Sequence, residues 1–93
     1  MTVGILRVVL FIHESNSLKE KRMIIHSLKA RLRNNFNIAV TQLDDGDKWQ
    51  KAVLALAGVE KNRPSMDSLL SRLINFIEGF RKVDIIDYEM EMI

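Results

Sequence analysis

The stretch VGILRVVLFIHESNSLKE, residues 3–20, passes from an apolar run to a helix start within a few residues. Residues 3–12 are almost wholly apolar and rich in Val, Ile and Leu, which predicts a central strand with both faces mostly covered. Ser17 is followed three residues later by Glu20, a capping box in which each side chain satisfies a free backbone N–H of the first turn. The stretch therefore predicts a strand followed by a helix that begins at Ser17.

Alternation along this first strand separates two sets of side chains, because successive residues of a strand point to opposite faces. The set expected on one face is Leu6, Val8, Leu10 and Ile12. The set expected on the other face is Val3, Ile5, Arg7, Val9 and Phe11.

The rest of the chain predicts three more strands and one more helix. FNIAVTQL (36–43) and WQKAVLALAGVE (49–60) are typical of two strands, which the turn-forming DDGDK segment joins into a hairpin. Ser65 is the predicted N-cap of a second helix, whose apolar residues recur with a period of 3.6 as far as about Phe80. VDIIDYEMEMI (83–93) alternates strictly, which predicts an edge strand with one solvent-facing side.

The element order β-α-β-β-α-β in 93 residues predicts an α+β fold, the ferredoxin-like sandwich. Its four-stranded antiparallel sheet carries both helices on one face. Two right-handed crossovers then place the first and third strands in the middle and the last strand at an edge. A single domain over residues 1–93 is expected, because the chain has the length of one domain and shows no linker or internal repeat.

Composition excludes several classes of protein. With 47% hydrophobic and 28% charged residues, the chain has the balance of an ordinary globular protein. The absence of cysteine excludes disulfides, thiolate zinc sites and cysteine nucleophiles. The apolar N-terminus lacks a basic leader and a cleavage site, and no stretch approaches the roughly 20 apolar residues of a spanning helix. A soluble, cytoplasmic protein without a membrane partner is expected.

Charge is unevenly distributed along the chain. The formal net charge of +2 is too small to indicate a polyanion partner. Yet residues 17–35 contain six Lys or Arg against the single acid Glu20, and residues 84–93 contain four acids and no base. At about 100° per helical residue, one stripe beside the apolar face of the first helix gathers the basic side chains. These are Lys19, Arg22, His26, Lys29 and Arg33.

This basic stripe has two interpretations. Cations three and four residues apart can each approach a phosphate, so the first interpretation is RNA binding through Lys19, Arg22, Lys29 and Arg33. The second is the solvated side of an amphipathic helix, since Lys and Arg are good helix formers. A helix that is merely solvated usually mixes charges of both signs, which favours the first interpretation. Lys21 lies at the margin of the apolar stripe, so its aliphatic stem is expected to snorkel over the core and keep the charged end in solvent.

The outer face of the sheet is predicted to be apolar. Its third strand would present small aliphatic groups that cannot stack bases, and no pair of glycines has the G-x-x-G spacing, so RNA contact would use the helical side or the loops. An exposed apolar face favours a homodimer interface. The residues assigned to this dimer face are Ile5, Val9, Phe11, Val53 and Ala55. The alternative is that long side chains, such as those of Arg7, Lys51 and Glu89, cover the face.

Three aspartates in the hairpin turn, Asp44, Asp45 and Asp47, could in principle bind a metal, but Asp and Gly are also the residues that a turn requires. A metal-dependent nuclease would further need a carboxylate from the first strand, and the nearest is Glu14. The turn interpretation is favoured, and no metal site is assigned. Neither a catalytic constellation nor a cofactor-binding motif is present, so no catalytic residue or cofactor is assigned either. Trp49 is interpreted as a packing anchor of the hairpin.

Four segments carry a family resemblance: VGILRVVLFI (3–12), SLKEKR (17–22), LKARLRNNFN (28–37) and DKWQKA (47–52). Together they resemble the YlxP-like family of small bacterial proteins, a domain of unknown function. The likeness spans Val3 to Ile93. It implies a ferredoxin-like fold and an association with RNA or the ribosome, because the family's genes often lie among those for transcription, translation initiation and ribosome maturation. It implies no catalytic residues.

The sequence therefore predicts a non-catalytic RNA-associated or ribosome-associated binding module. The alternative is a homodimeric structural or regulatory module that binds proteins through its sheet. A metal-dependent nuclease is the third and least favoured hypothesis.

Overall fold

The computed structural model describes residues 1–13 and 15–93, so Glu14 lies outside the described residues. The elements are β1 (Thr2–Ile12), α1 (Leu18–Asn35), β2 (Ala39–Gln42), β3 (Lys51–Glu60), α2 (Arg63–Glu78) and β4 (Val83–Met92). The strands pair antiparallel in the order β2-β3-β1-β4. The predicted ferredoxin-like α+β fold is confirmed, with β1 and β3 in the middle of the sheet and β4 at an edge.

The hydrophobic core lies between the sheet and the two helices. Leu6, Val8, Leu10 and Ile12 of β1 are fully buried, as the alternation predicts. They meet the buried faces of β3 and of both helices in one cluster of apolar side chains. Each fully buried Leu or Ile stabilises the fold by roughly 1.5–3 kcal/mol relative to an exposed one. This cluster therefore holds both helices on one face of the sheet.

The predicted capping box starts α1. The Ser17 hydroxyl accepts a hydrogen bond from the Glu20 N–H at 3.1 Å, and the Glu20 carboxylate accepts one from the Asn16 N–H at 3.1 Å. In the usual capping box the glutamate accepts from the N–H of the N-cap residue itself, and here the donor is the preceding residue, Asn16. The helix ends at Asn35, where the Phe36 N–H still donates to the Leu32 carbonyl.

The second helix begins earlier than predicted. Its N-cap is Asn62, not Ser65, because the Asn62 side-chain oxygen accepts a hydrogen bond from the Ser65 N–H at 2.9 Å. Pro64 lies in the first turn, where a missing N–H removes no intrahelical bond. The helix also ends at Glu78 and not at Phe80, since the chain turns after it.

The hairpin strands are shorter than predicted. β2 begins at Ala39 and not at residue 36, because Phe36 caps α1 and packs edge-to-face on Phe76 at 5.5 Å between ring centroids. β3 begins at Lys51, so Trp49 lies in the turn with half of its surface exposed. The prediction that Trp49 begins the third strand is therefore wrong, and its role as a packing anchor stays a prediction.

The strict alternation predicted for β4 is interrupted by a register shift. Val9 of β1 pairs with Asp87 and Leu10 pairs with Ile85, which leaves Ile86 as an extra, exposed residue. Beyond this bulge, Glu89 pairs with Arg7, so the β4 carboxylates lie on the outer face of the sheet, away from the helices. No helix within the described ranges is long and apolar enough to cross a membrane.

The N-cap assignment predicts that Asn62→Ala lowers the free energy of unfolding by about 1 kcal/mol, since an N–H of the first turn then loses its partner. Ser65→Ala is the matched control and should change the free energy by less than about 0.5 kcal/mol. Urea unfolding followed by circular dichroism measures both values. A larger loss for Ser65→Ala than for Asn62→Ala would contradict the observed cap.

Candidate functional site

The basic stripe of α1 lies on the flank of the helix that faces β2. Lys19, Arg22 and Arg33 are exposed and Lys29 is half-buried. Arg33 shows the direction of this flank, because its guanidinium donates a hydrogen bond to the Val40 carbonyl of β2 at 3.0 Å. The structure thus brings the four predicted residues together on one side of one helix.

The four cations have no acidic partner in the part of the chain that the structure describes. The ion pairs there are Arg7–Glu89 and Lys21–Asp44, His13 Nε2 also contacts Asp84, and none of these contacts involves the stripe. His26 is also exposed within the stripe. Repulsion among unpaired like charges is relieved when an anion binds, so this surface is suited to phosphate groups.

Arg33 differs from the other three because it also has a structural contact. Its hydrogen bond occupies a carbonyl of β2, a strand at the edge of the sheet with no neighbour on that side. Unpaired edge groups invite pairing with other chains, and a charged side chain over the edge opposes this. A change of Arg33 would therefore affect both the charge of the stripe and the protection of this edge.

Lys21 is buried, although it belongs to the same basic segment. Only 2% of its surface is exposed. Its ammonium Nζ lies 2.8 Å from Asp44 Oδ2 and donates to the Lys48 carbonyl at 2.7 Å. Its charged end turns inward to the β2–β3 connection and not out to solvent, so the expectation that Lys21 snorkels over the core is wrong.

Asp44 organises that connection around the ammonium group. Its two carboxylate oxygens accept hydrogen bonds from the Gln42 side chain and from the backbone N–H groups of Gly46 and Val53, at 2.8 to 3.1 Å. Burial raises the pKa of Asp44, but the hydrogen bonds from Lys21, Val53 and Gln42, together with the Lys21 charge, outweigh burial and lower the pKa from 3.8 to about 2. Asp44 is therefore an ionised structural residue.

This geometry opposes the metal-site alternative. A metal ion at Asp44 would have to displace the Lys21 ammonium, which already neutralises the carboxylate at 2.8 Å. Asp45 and Asp47 are exposed, and Gly46 between them adopts a positive φ of 81°, as a turn requires. Glu14, the carboxylate that a nuclease would need beside β1, lies outside the described residues. The three aspartates are thus accounted for by the turn.

Sequence reasoning missed the Lys21–Asp44 pair. One signal pointed to it, namely a lysine at the margin of an apolar helix stripe, where its stem must pass over the core. The partner could not be identified, because the two residues lie 23 positions apart and meet only through the packing of α1 on the hairpin.

The predicted dimer face is only partly exposed in a single chain. Val9 and Val53 are 9% and 8% exposed, so neighbouring side chains already cover them, while Ile5 and Ala55 are half-buried. Phe11 is 37% exposed. Arg7 and Glu89 form an ion pair across this face at 3.7 Å.

Comparison with known proteins identifies the family. Residues 3–90 match the model of the family described as "Protein of unknown function (DUF503)", and the chain belongs to this family. The "Uncharacterized protein YlxP" of Bacillus subtilis (strain 168) is 28% identical over 82 residues, which are 88% of this chain and 89% of that protein. The YlxP-like resemblance read from the sequence is confirmed.

Two solved structures share the fold. SnoaB, a cofactor-independent oxygenase from Streptomyces nogalater, superposes with a TM-score of 0.52 at 13% identity, covering 99% of this chain and 90% of that chain. The de novo designed protein Foldit4 superposes with a TM-score of 0.54 at 11% identity, covering 100% and 97% of the two chains. At these identities the likeness concerns the backbone architecture and no shared chemistry.

The lowered pKa of Asp44 predicts a pH-dependent contribution to stability. Because the folded pKa lies below the unfolded value, the contribution is fully present above about pH 4 and is lost as pH falls toward 2. Asp44 contributes at most about 2.5 kcal/mol to the free energy of unfolding in this way. Urea unfolding at several pH values from 7 to 2 measures this contribution. The difference in the free energy of unfolding between the native protein and Asp44→Asn should shrink as pH falls from about 4 to 2.

Asp45→Asn is the matched control for this prediction, since Asp45 is exposed and adjacent. At pH 7, Asp45→Asn should change the free energy of unfolding by less than about 0.5 kcal/mol. The role of Asp44 as an ionised structural residue would be contradicted if the loss of unfolding free energy in Asp44→Asn were the same at pH 4 and at pH 2.

Proposed function

We propose that this protein is a non-catalytic RNA-associated or ribosome-associated binding module of the cytoplasm, which contacts phosphates through Lys19, Arg22, Lys29 and Arg33. The observation that carries the proposal is the absence of an acidic partner for these four cations within the described residues. That residues 1–93 form a single domain stays a prediction, and it is part of this proposal.

The dimensions of the stripe suit a phosphate backbone. From Lys19 to Arg33 the helix advances by about 21 Å, at about 1.5 Å per residue. Lys19 and Arg22 lie roughly 5–6 Å apart, as do Lys29 and Arg33, so the members of each pair can reach different phosphates. The two pairs are about 10 Å apart along the helix axis. Contacts to phosphates orient a protein without reading bases, and we expect weak sequence preference.

The proposal predicts a strong dependence of RNA affinity on salt. With four phosphate contacts at about 0.7 each, a logarithmic plot of affinity against salt concentration should have a slope of about −3. Fluorescence anisotropy with a labelled, structured RNA measures this slope. The double variant Arg22→Gln with Lys29→Gln should reduce the slope to about −1.5, because two of the four contacts are lost.

The matched control removes two charges elsewhere. Lys61 and Arg63 are exposed at the β3–α2 junction, so Lys61→Gln with Arg63→Gln lowers the net charge equally without touching the stripe. Arg33 is left unchanged because of its contact with β2. A flat salt response of the native protein, or equal losses in the two double variants, would refute the proposal.

A second candidate function is homodimerisation through the outer face of the sheet. Phe11, Trp49 and Ile86 line one shallow hollow of about 480 Å³, and all three are at least one-third exposed. The same face presents Arg7 and Lys51 as well as the β4 carboxylates. A second copy related by two-fold symmetry would therefore meet opposite charges around an apolar centre.

Sedimentation velocity tests this second candidate. A dimer should form at high micromolar concentration, and Phe11→Glu should abolish it, since a charge would be buried in the interface. Met23→Glu is the control, because Met23 is also an exposed apolar residue but lies on α1. A native protein that stays monomeric at high micromolar concentration would rule the dimer out.

A further inference from the structure

A second cationic surface lies on the opposite flank of α1, away from the basic stripe. Here an open groove of about 700 Å³ runs between the helix and the turn that joins α2 to β4. At about 100° per residue, the α1 residues Ile24, Ser27 and Arg31 share this flank. The volume falls within the roughly 300–1,000 Å³ range of small-molecule sites.

The groove concentrates positive charge. Arg31, Arg81 and Lys82 line it, and none of the three forms an ion pair within the described residues. Glu20 is the one carboxylate among the described lining residues, and it accepts the hydrogen bond from the Asn16 N–H. His13 also lines the groove and pairs with Asp84 at 2.6 Å. Among the described lining residues, three cations therefore face one carboxylate, with Asp84 adjacent through His13.

The backbone that carries two of these cations is held by hydrogen bonds. In the turn after α2, the Phe80 N–H donates to the Ile77 carbonyl at 3.0 Å, and the Val83 N–H donates to the Phe80 carbonyl at 3.2 Å. The Lys82 carbonyl accepts a hydrogen bond from the His13 N–H at 2.9 Å. A backbone fixed before binding loses less entropy when a ligand arrives.

Arg31 is positioned by an aromatic ring. Its guanidinium lies over Phe80, 5.4 Å from the ring centroid, and makes no side-chain hydrogen bond within the described residues. This contact holds the planar group at the groove and leaves its N–H donors free. Two parallel N–H donors match the spacing of phosphate oxygens, which makes Arg a favoured ligand of phosphate groups.

We propose that this groove binds a phosphate-bearing ligand, with Arg31, Arg81 and Lys82 as the phosphate ligands. The site is separate from the stripe, and the proposal does not depend on the proposed function. Two sources share the required chemistry, namely a free phosphorylated small molecule and a terminal phosphate of an RNA chain. Ser27, which also lines the groove, offers a hydroxyl donor of the kind that either phosphate would use.

Titration with inorganic pyrophosphate, with ADP and with adenosine, followed by amide NMR at low salt, tests the proposal. Pyrophosphate and ADP should shift the amides of Ser27, Arg31 and residues 79–82, while adenosine should shift none of them. The double variant Arg81→Gln with Lys82→Gln should weaken binding by about ten-fold or more, since two charge-assisted contacts are lost. Both residues are exposed, so the fold should be retained.

The double variant Lys61→Gln with Arg63→Gln removes two exposed cations that belong to neither the stripe nor the groove, so it is the control and should leave pyrophosphate affinity unchanged. A 5′-phosphorylated RNA oligomer and its unphosphorylated form distinguish the two sources. If the 5′-phosphate strengthens RNA binding and Arg81→Gln with Lys82→Gln removes this increase in affinity, the ligand is an RNA end. If the 5′-phosphate has no such effect while pyrophosphate and ADP bind, the ligand is a phosphorylated small molecule. Absence of shifts at the groove with pyrophosphate and ADP, or equal weakening by both double variants, would overturn the proposal.

Discussion

The Lys21–Asp44 pair is the interaction on which the arrangement of charge depends. Burying an ammonium group without partners is costly, and this one is compensated by a carboxylate at 2.8 Å and a carbonyl at 2.7 Å. A buried pair of this kind adds little net stability relative to apolar groups, but removing one partner typically costs about 3–5 kcal/mol. Its main effect is therefore to exclude other arrangements. Because Lys21 must face the β2–β3 connection, α1 cannot rotate about its axis. This fixed orientation places the stripe cations on the flank that faces β2 and Arg31 on the opposite flank.

The orientation of α1 about its axis explains why the cations of the stripe have no acidic partner among the described residues. Asp44 and Arg22 line the same small hollow, yet the charge of Asp44 is already neutralised by Lys21. The β4 carboxylates lie on the outer face of the sheet, on the far side of the core from α1. The layer architecture thus separates these β4 carboxylates from α1. A small net charge of +2 therefore conceals a strongly polarised surface.

Most of the fold could be predicted because local signals agreed with each other. The alternation of β1 and the capping box at Ser17 each have a physical cause within a few residues. The errors arose where a tertiary contact decided the boundary. Phe36 packs edge-to-face on Phe76 of α2, so β2 begins later than predicted. The bulge at Ile86 arises from the pairing of β4 with β1. For the site, helical periodicity was sufficient to group the cations of the stripe. The groove could not be predicted, because it joins Arg31 to a turn 50 residues away.

The central claim is that phosphates contact the β2-facing flank of α1, and amide NMR mapping with a structured RNA tests it most directly. The account predicts that the shifted amides belong to Lys19, Arg22, His26, Lys29 and Arg33 and to neighbouring β2, with the outer face of the sheet unaffected. Shifts concentrated on outer-face residues of β1 and β3, such as Phe11 and Ala55, would contradict the account. The same would follow if no amide moved at low salt.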